Sequence, residues 1–137
     1  MIVSARTRRL ALALVAVLAW LSVDVPAAAA ATYPFETPAP PAAIEVAGTG
    51  VALAWDAVNG APGYRVRYSS RSSMAKSRYL RTTSPAAVVT GLSRGTTYYF
   101  TVRVIDTDGA GLSAYSERYS VRTRTKLSYK YLVPSGL

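Results

Sequence analysis

Residues Gly91 to Asp106 read GLSRGTTYYFTVRVID, and their pattern decides the architecture. From Tyr98 onward the large side chains alternate: Tyr98, Phe100, Val102 and Val104 fall on one side, Tyr99, Thr101, Arg103 and Ile105 on the other. A period of two belongs to an extended strand with one packed face, and Ser93-Arg94-Gly95 before it reads as a tight turn. The stretch therefore predicts a corner followed by the longest strand of a β-rich domain, its outer face turned to water.

Short runs of the same kind recur on both sides, about ten residues apart, between clusters of Gly, Pro, Ser and Asn, as in a sandwich or barrel. Ala42–Ala47 and Val51–Val58 flank Gly48-Thr49-Gly50 as a hairpin, with Val51, Leu53 and Trp55 on one face. After the turn at Asn59–Gly63, Tyr64, Val66 and Tyr68 alternate with Arg65 and Arg67. A weaker run around Lys76–Thr82, a short one at Ala86–Leu92 and a last one at Ser116–Arg124 complete seven. In the last, Tyr119, Val121 and Thr123 face in, with Arg118, Ser120, Arg122 and Arg124 facing out. No segment carries helical periodicity.

The chain has 137 residues, room for one domain with appendages. Residues 1–31 are set apart as a signal peptide: Arg6, Arg8 and Arg9 precede an apolar run from Leu10 to Val23, then Pro26 and an alanine tract with A-x-A cleavage choices. The run is shorter than the roughly 20 apolar residues that span a bilayer, which argues against a retained anchor. Residues 32–41, with four prolines, read as an extended linker. The domain is expected over 42–124. Residues 125–137 form a tail or linker, although Leu127, Tyr129 and Tyr131 alternate as a further strand or adhesive strip would.

Removing residues 1–31 takes away three of 16 basic and one of seven acidic side chains, so the exported part keeps a surplus of seven positive charges. With no cysteine, the fold takes nothing from disulfides; with no histidine, the commonest general base and metal ligand are missing. Ser-His-Asp and Cys-His catalysis and zinc spacings are thereby excluded. The chain is expected to be non-catalytic, with no cofactor and no metal. Asp106 and Asp108 in DTDG resemble the start of a calcium loop but lack its later ligands, and Asp-Gly is ordinary turn chemistry.

On these residues the chain resembles a fibronectin type III module over about residues 38–124. The family's second-strand tryptophan, third-strand tyrosine, and leucine followed six residues later by a corner tyrosine match Trp55, Tyr64, Leu92 and Tyr98. Its L-x-P-G-T-x-Y-x-F-x-V reads LSRGTTYYFTV here, with Arg94 in place of proline. The resemblance implies an all-β, seven-stranded immunoglobulin-like sandwich in which those four residues are structural and the corner tyrosine's hydroxyl bonds back to the turn. More narrowly, the pattern is similar to modules preceding secreted actinobacterial enzymes, including endonuclease/exonuclease/phosphatase-type enzymes, whose catalytic motifs this chain lacks.

In such a topology the third, sixth and seventh strands share a sheet, so parity gathers Arg65, Arg67, Tyr99, Thr101, Arg103, Arg118, Arg122 and Arg124 on one face. Of these, Arg65, Arg67, Tyr99, Arg103 and Arg122 form the candidate anion-binding stripe: guanidinium groups bond anions bidentately and phenol rings offer stacking faces. The expected partners are acidic polysaccharide, wall polymer or protein; nucleic acid would also suit the charge, but no motif supports it. The plainer reading is a solubilising strand face that guards against edge pairing. Two functions stay open: a secreted monomeric binding or spacer module, with no membrane association after cleavage, and an accessory domain of a secreted hydrolase or nuclease.

Overall fold

The computed structural model describes residues 32–126, and within them every regular element is a strand. The expected signal peptide and most of the tail lie outside these residues. In chain order the strands are β1 (Ala42–Val46), β2 (Gly50–Ala54), β3 (Gly63–Ser69), β4 (Arg78–Thr82), β5 (Ala86–Thr90), β6 (Thr97–Ile105) and β7 (Tyr119–Arg122). They form two antiparallel sheets, ordered β1-β2-β5 and β4-β3-β6-β7. The seven-stranded sandwich expected from the spacing is thus present, with β6 the longest strand at nine residues.

Alternation explains the core. Val51 and Leu53 of β2, Ala87 and Val89 of β5, Tyr64 and Val66 of β3, and Phe100, Val102 and Val104 of β6 all turn inward into one cluster. The β3–β6 pair is its spine: its register runs from Gly63↔Ile105 to Ser69↔Tyr99, setting Tyr64 against Val104 and Val66 against Val102. A one-residue slip would carry arginines into the core, so burial enforces the register.

Trp55 lies just past β2, where its backbone N–H donates to Pro85 O at 3.0 Å, and its ring meets Tyr64 edge to face with centroids 5.4 Å apart. Tyr64 Oη in turn accepts from Val58 N at 2.8 Å, so this buried phenol keeps a polar partner. Tyr98, at the other end of β6, is half-buried rather than enclosed; it packs on the core cluster while its hydroxyl accepts from Ser93 N at 3.0 Å. The turn it braces needs Gly95, whose φ of +59° lies in the left-handed region that side chains resist.

Three details depart from what the sequence pattern predicts. Thr101 and Ile105 were expected on the outer face and are only 4% and 3% exposed, because residues 111–116 lie alongside β6 and cover them. β7 is shorter than the run Ser116–Arg124, so Arg118 and Arg124 lie outside it. Arg124 N–H donates to Ala47 O, carrying the backbone toward the other sheet. In the stretch 32–41, Phe35 N–H donates to Leu112 O at 3.1 Å, Phe35 packs on the core and Pro41 is buried. The proline-rich segment is therefore docked where it precedes β1.

Leu53 is fully buried while Ile44, at the bulge in β1, is 70% exposed. Leu53→Ala should cost about 3 kcal/mol, whereas Ile44→Ala should stay within about 0.5 kcal/mol, both read from urea unfolding midpoints at unchanged m-value.

Candidate anion-binding face

The outer face of the four-stranded sheet is built by register. Arg65 of β3 stands between Arg81 of β4 and Arg103 of β6, giving a row of three guanidinium side chains across three strands. The next row is Tyr79, Arg67 and Thr101; beyond it Ser69, Tyr99 and Ser120 align, and Arg122 stands beside Thr97. All five stripe residues read from the sequence thus share this face. Arg81 and Tyr79 join them, missed because the β4 run lacks the alternation that fixed parity elsewhere.

Like charges opposite one another on a sheet ordinarily repel. Here the arginines are separated by neutral partners. Arg65 Nη2 donates to Gly109 O at 2.6 Å, and its guanidinium lies 5.8 Å from the Tyr79 ring. Arg67 donates through Nε to Ser77 Oγ at 3.0 Å and through Nη2 to Met74 O at 3.1 Å. Arg81 Nη1 reaches Asp108 O at 3.4 Å. Arg118, away from the stripe, donates to Ser72 O.

Tyr115 completes the arrangement. Its ring lies 4.7 Å from the Arg103 guanidinium carbon and 5.6 Å from that of Arg67, so one phenol face system serves two cations. Such contacts are worth ~0.5 to 2 kcal/mol, depending on how far they are desolvated. Two serines put Tyr115 there: Ser113 Oγ accepts from Val104 N at 2.9 Å and Ser116 Oγ accepts from Val102 N at 3.0 Å. Their hydroxyls thus cap β6 donors, while Leu112 N and Ser116 N donate to Val104 O and Val102 O. The residue between them is led across the sheet. Tyr115 carries no signal of its own in the sequence because Leu112–Ser116 lacks alternation; the visible signal is the pair of serines three apart in a strandless stretch.

The DTDG segment is a closed turn. Asp106 Oδ1 accepts from Ala110 N at 2.7 Å, Asp106 O accepts from Gly109 N at 3.1 Å, and two arginines hold its carbonyls from below. The face is therefore cationic, half-buried at Arg65, Arg67, Arg103 and Tyr99, and exposed at Arg81 and Arg122. Chemically it offers fixed guanidinium edges and phenol rings, and none of the residues on its four strands is Asp or Glu.

A sandwich with this strand order and corner tyrosine defines a class, and comparison with known proteins agrees. The fibronectin type III domain model matches residues 36–122, and the chain belongs to that family. It is similar to Chitinase D of Niallia circulans, 43% identical over 83 residues, which cover 58% of this chain and 14% of the chitinase. Its fold is similar to the fibronectin type III domain of human fibronectin type III domain containing protein 3, with a TM-score of 0.60 and 21% identity over 74% of this chain and 97% of that one. The fn3 domain of human contactin 1 gives a TM-score of 0.60 at 18% identity, covering 73% and 87% of the two chains.

A β-carbon on Gly111 would collide with the Arg103 guanidinium. Gly111→Ala should therefore push Arg103 off Tyr115 and cost about 1 kcal/mol. In an Arg103→Ser background the same change should cost little, a coupling measurable by a double-mutant cycle of unfolding free energies.

Proposed function

We propose that this protein is a secreted, non-catalytic binding module that holds anionic cell-envelope polymers, such as acidic polysaccharide or wall polymer, through the outer face of the β4-β3-β6-β7 sheet. One observation carries the reading: the four strands contain six arginines and no carboxylate. Within the five-arginine outer face, Arg81, Arg65 and Arg103 stand in a single cross-strand row. A face that only needed solubility would mix signs, because interspersed charges keep a surface soluble without building a one-sided field. Contacts with the Tyr79 and Tyr115 rings restrain the guanidinium groups, and a restrained arginine loses less side-chain entropy when it bonds an anion. The leader read in residues 1–31 supports export.

A second reading has its own support. The match to Chitinase D covers a small part of that enzyme, as an accessory module of a hydrolase would. On that reading the face holds polymer near a catalytic domain supplied by another part of the protein or by another chain.

Arg81 and Arg122 are exposed and stand apart from the Tyr115 stack, so they test the face without dismantling it. Arg81→Ser with Arg122→Ser should lower the salt needed to elute the protein from heparin and from DNA. For DNA the slope of log affinity against log salt should fall by about 1.8 if both arginines contact phosphates. Elution identical to the parent would mean that the face only solubilises; retention on chitin alone would favour the accessory reading.

A further inference from the structure

A second, separate set of cations lies at the end of the sandwich where β3 and β5 run out. There the loop 70–77 and the corner 91–96 enclose a recessed cavity of about 190 Å3, lined among others by Tyr68, Ser69, Lys76, Arg78, Ser93 and Tyr98. Arg78 pairs with Tyr68, so it has the opposite parity to Arg81 and does not belong to the outer face.

The cavity is furnished with donors. The side chains of Lys76 and Arg78 take no hydrogen bond, ion pair or ring contact among the described residues, unlike Arg65, Arg67 and Arg103. The Tyr68 ring stacks on Phe100 at 6.1 Å with its hydroxyl uncommitted. Tyr98 Oη accepts from Ser93 N, which leaves its own proton to donate. No Asp or Glu lines the cavity. A lining of ammonium, guanidinium and phenol groups with no carboxylate selects a ligand that accepts from several directions and carries negative charge.

The loop that supplies Lys76 is held in an unusual shape. Met74 and Lys76 have φ of 60° and 53°, the left-handed region that non-glycine residues seldom occupy. Three bonds fix it: Ser69 Oγ donates to Ala75 O at 2.6 Å, Ser77 Oγ to Met74 O at 2.5 Å, and Arg67 Nη2 to Met74 O at 3.1 Å. The Met74 side chain is buried beneath. Backbone strain of this kind persists where surroundings over-determine it, and it concentrates at ligand sites. The volume is below the roughly 300 to 1,000 Å3 of pockets for drug-sized molecules, which limits the occupant to one small group.

We propose that this cavity binds a single tetrahedral oxyanion, a phosphate or sulfate group, held by Lys76 and Arg78 with the Tyr68 and Tyr98 hydroxyls. None of the four residues that hold the anion belongs to the arginine face proposed to bind polymer, and Ser69, which borders both, makes no part of either binding set, so either can fail alone.

The test is titration of the chain with inorganic phosphate, ionic strength held constant with chloride, followed by the amide resonances of Ser70, Gly91 and Ser93. Saturable shifts are expected at these three. Lys76→Gly with Arg78→Gln should weaken the affinity by at least about tenfold, losing two charge-assisted contacts. Glycine suits the φ of residue 76 and both positions are exposed, so the unfolding midpoint should hold. Non-saturating shifts equal to those in chloride, or an unchanged affinity in the double variant, would overturn the proposal. So would acetate binding as tightly as phosphate, or loss of the shifts in the Arg81→Ser, Arg122→Ser variant. A glycerol phosphate oligomer binding more tightly than inorganic phosphate would support the site with a polymer as source, and the reverse order would support it with the free ion.

Discussion

The pairing of β3 with β6 is the constraint on which the molecule rests. Seven residue pairs share one antiparallel register, and the pleat gives each pair two consequences at once. Where Tyr64, Val66 and Tyr68 meet Val104, Val102 and Phe100, the inward side chains fill the space between sheets. The residues in between send Arg65, Arg67, Arg103 and Thr101 to the opposite side. Core and cationic face are two sides of one alternation. Neither can be shifted without the other, and the hydrophobic side is much the stronger determinant, since each buried side chain contributes about 1.5 to 3 kcal/mol.

A charged face built this way must solve a local problem of repulsion, and the solution is neutral rather than ionic. Carbonyls of the turn 106–109 and of the loop 70–77, together with the Tyr79 and Tyr115 rings, take up the guanidinium groups of β3 and β6. A salt bridge would have cancelled the charge that it stabilised. Carbonyls and rings leave the field intact, so the proposed affinity for polyanions and the order of the face come from the same contacts. The arrangement also ties two loops to the sheet, and those loops border the surfaces where a ligand would approach.

Much of this was legible in the residues alone. Strict alternation at Tyr64–Tyr68 and Tyr98–Val104 fixed strands, parity and the shared face, and the glycine-containing corner before Tyr98 marked the family. Alternation stops being informative where a segment is held by side chains rather than by a ladder. Leu112–Ser116 is such a place: its position depends on Ser113 and Ser116 reaching backbone donors of β6, and nothing in the local pattern announces that. Thr101 was expected on the exposed face, and Ile105 on the same side by parity, for the same reason: the cover of both comes from a segment remote in pattern. The cavity beside Lys76 was equally invisible, because it depends on left-handed backbone at Met74 and Lys76, where no glycine signals it.

The serine hydroxyls that cap Val102 and Val104 have a consequence for how such domains crowd together. Strand edges propagate because exposed amides in regular spacing invite a neighbour's carbonyls. Along that half of β6 the amides are consumed by alcohol groups of the same chain, which have no onward row of donors to offer. Copies brought side by side would therefore find no row of amides to extend at Val102 and Val104.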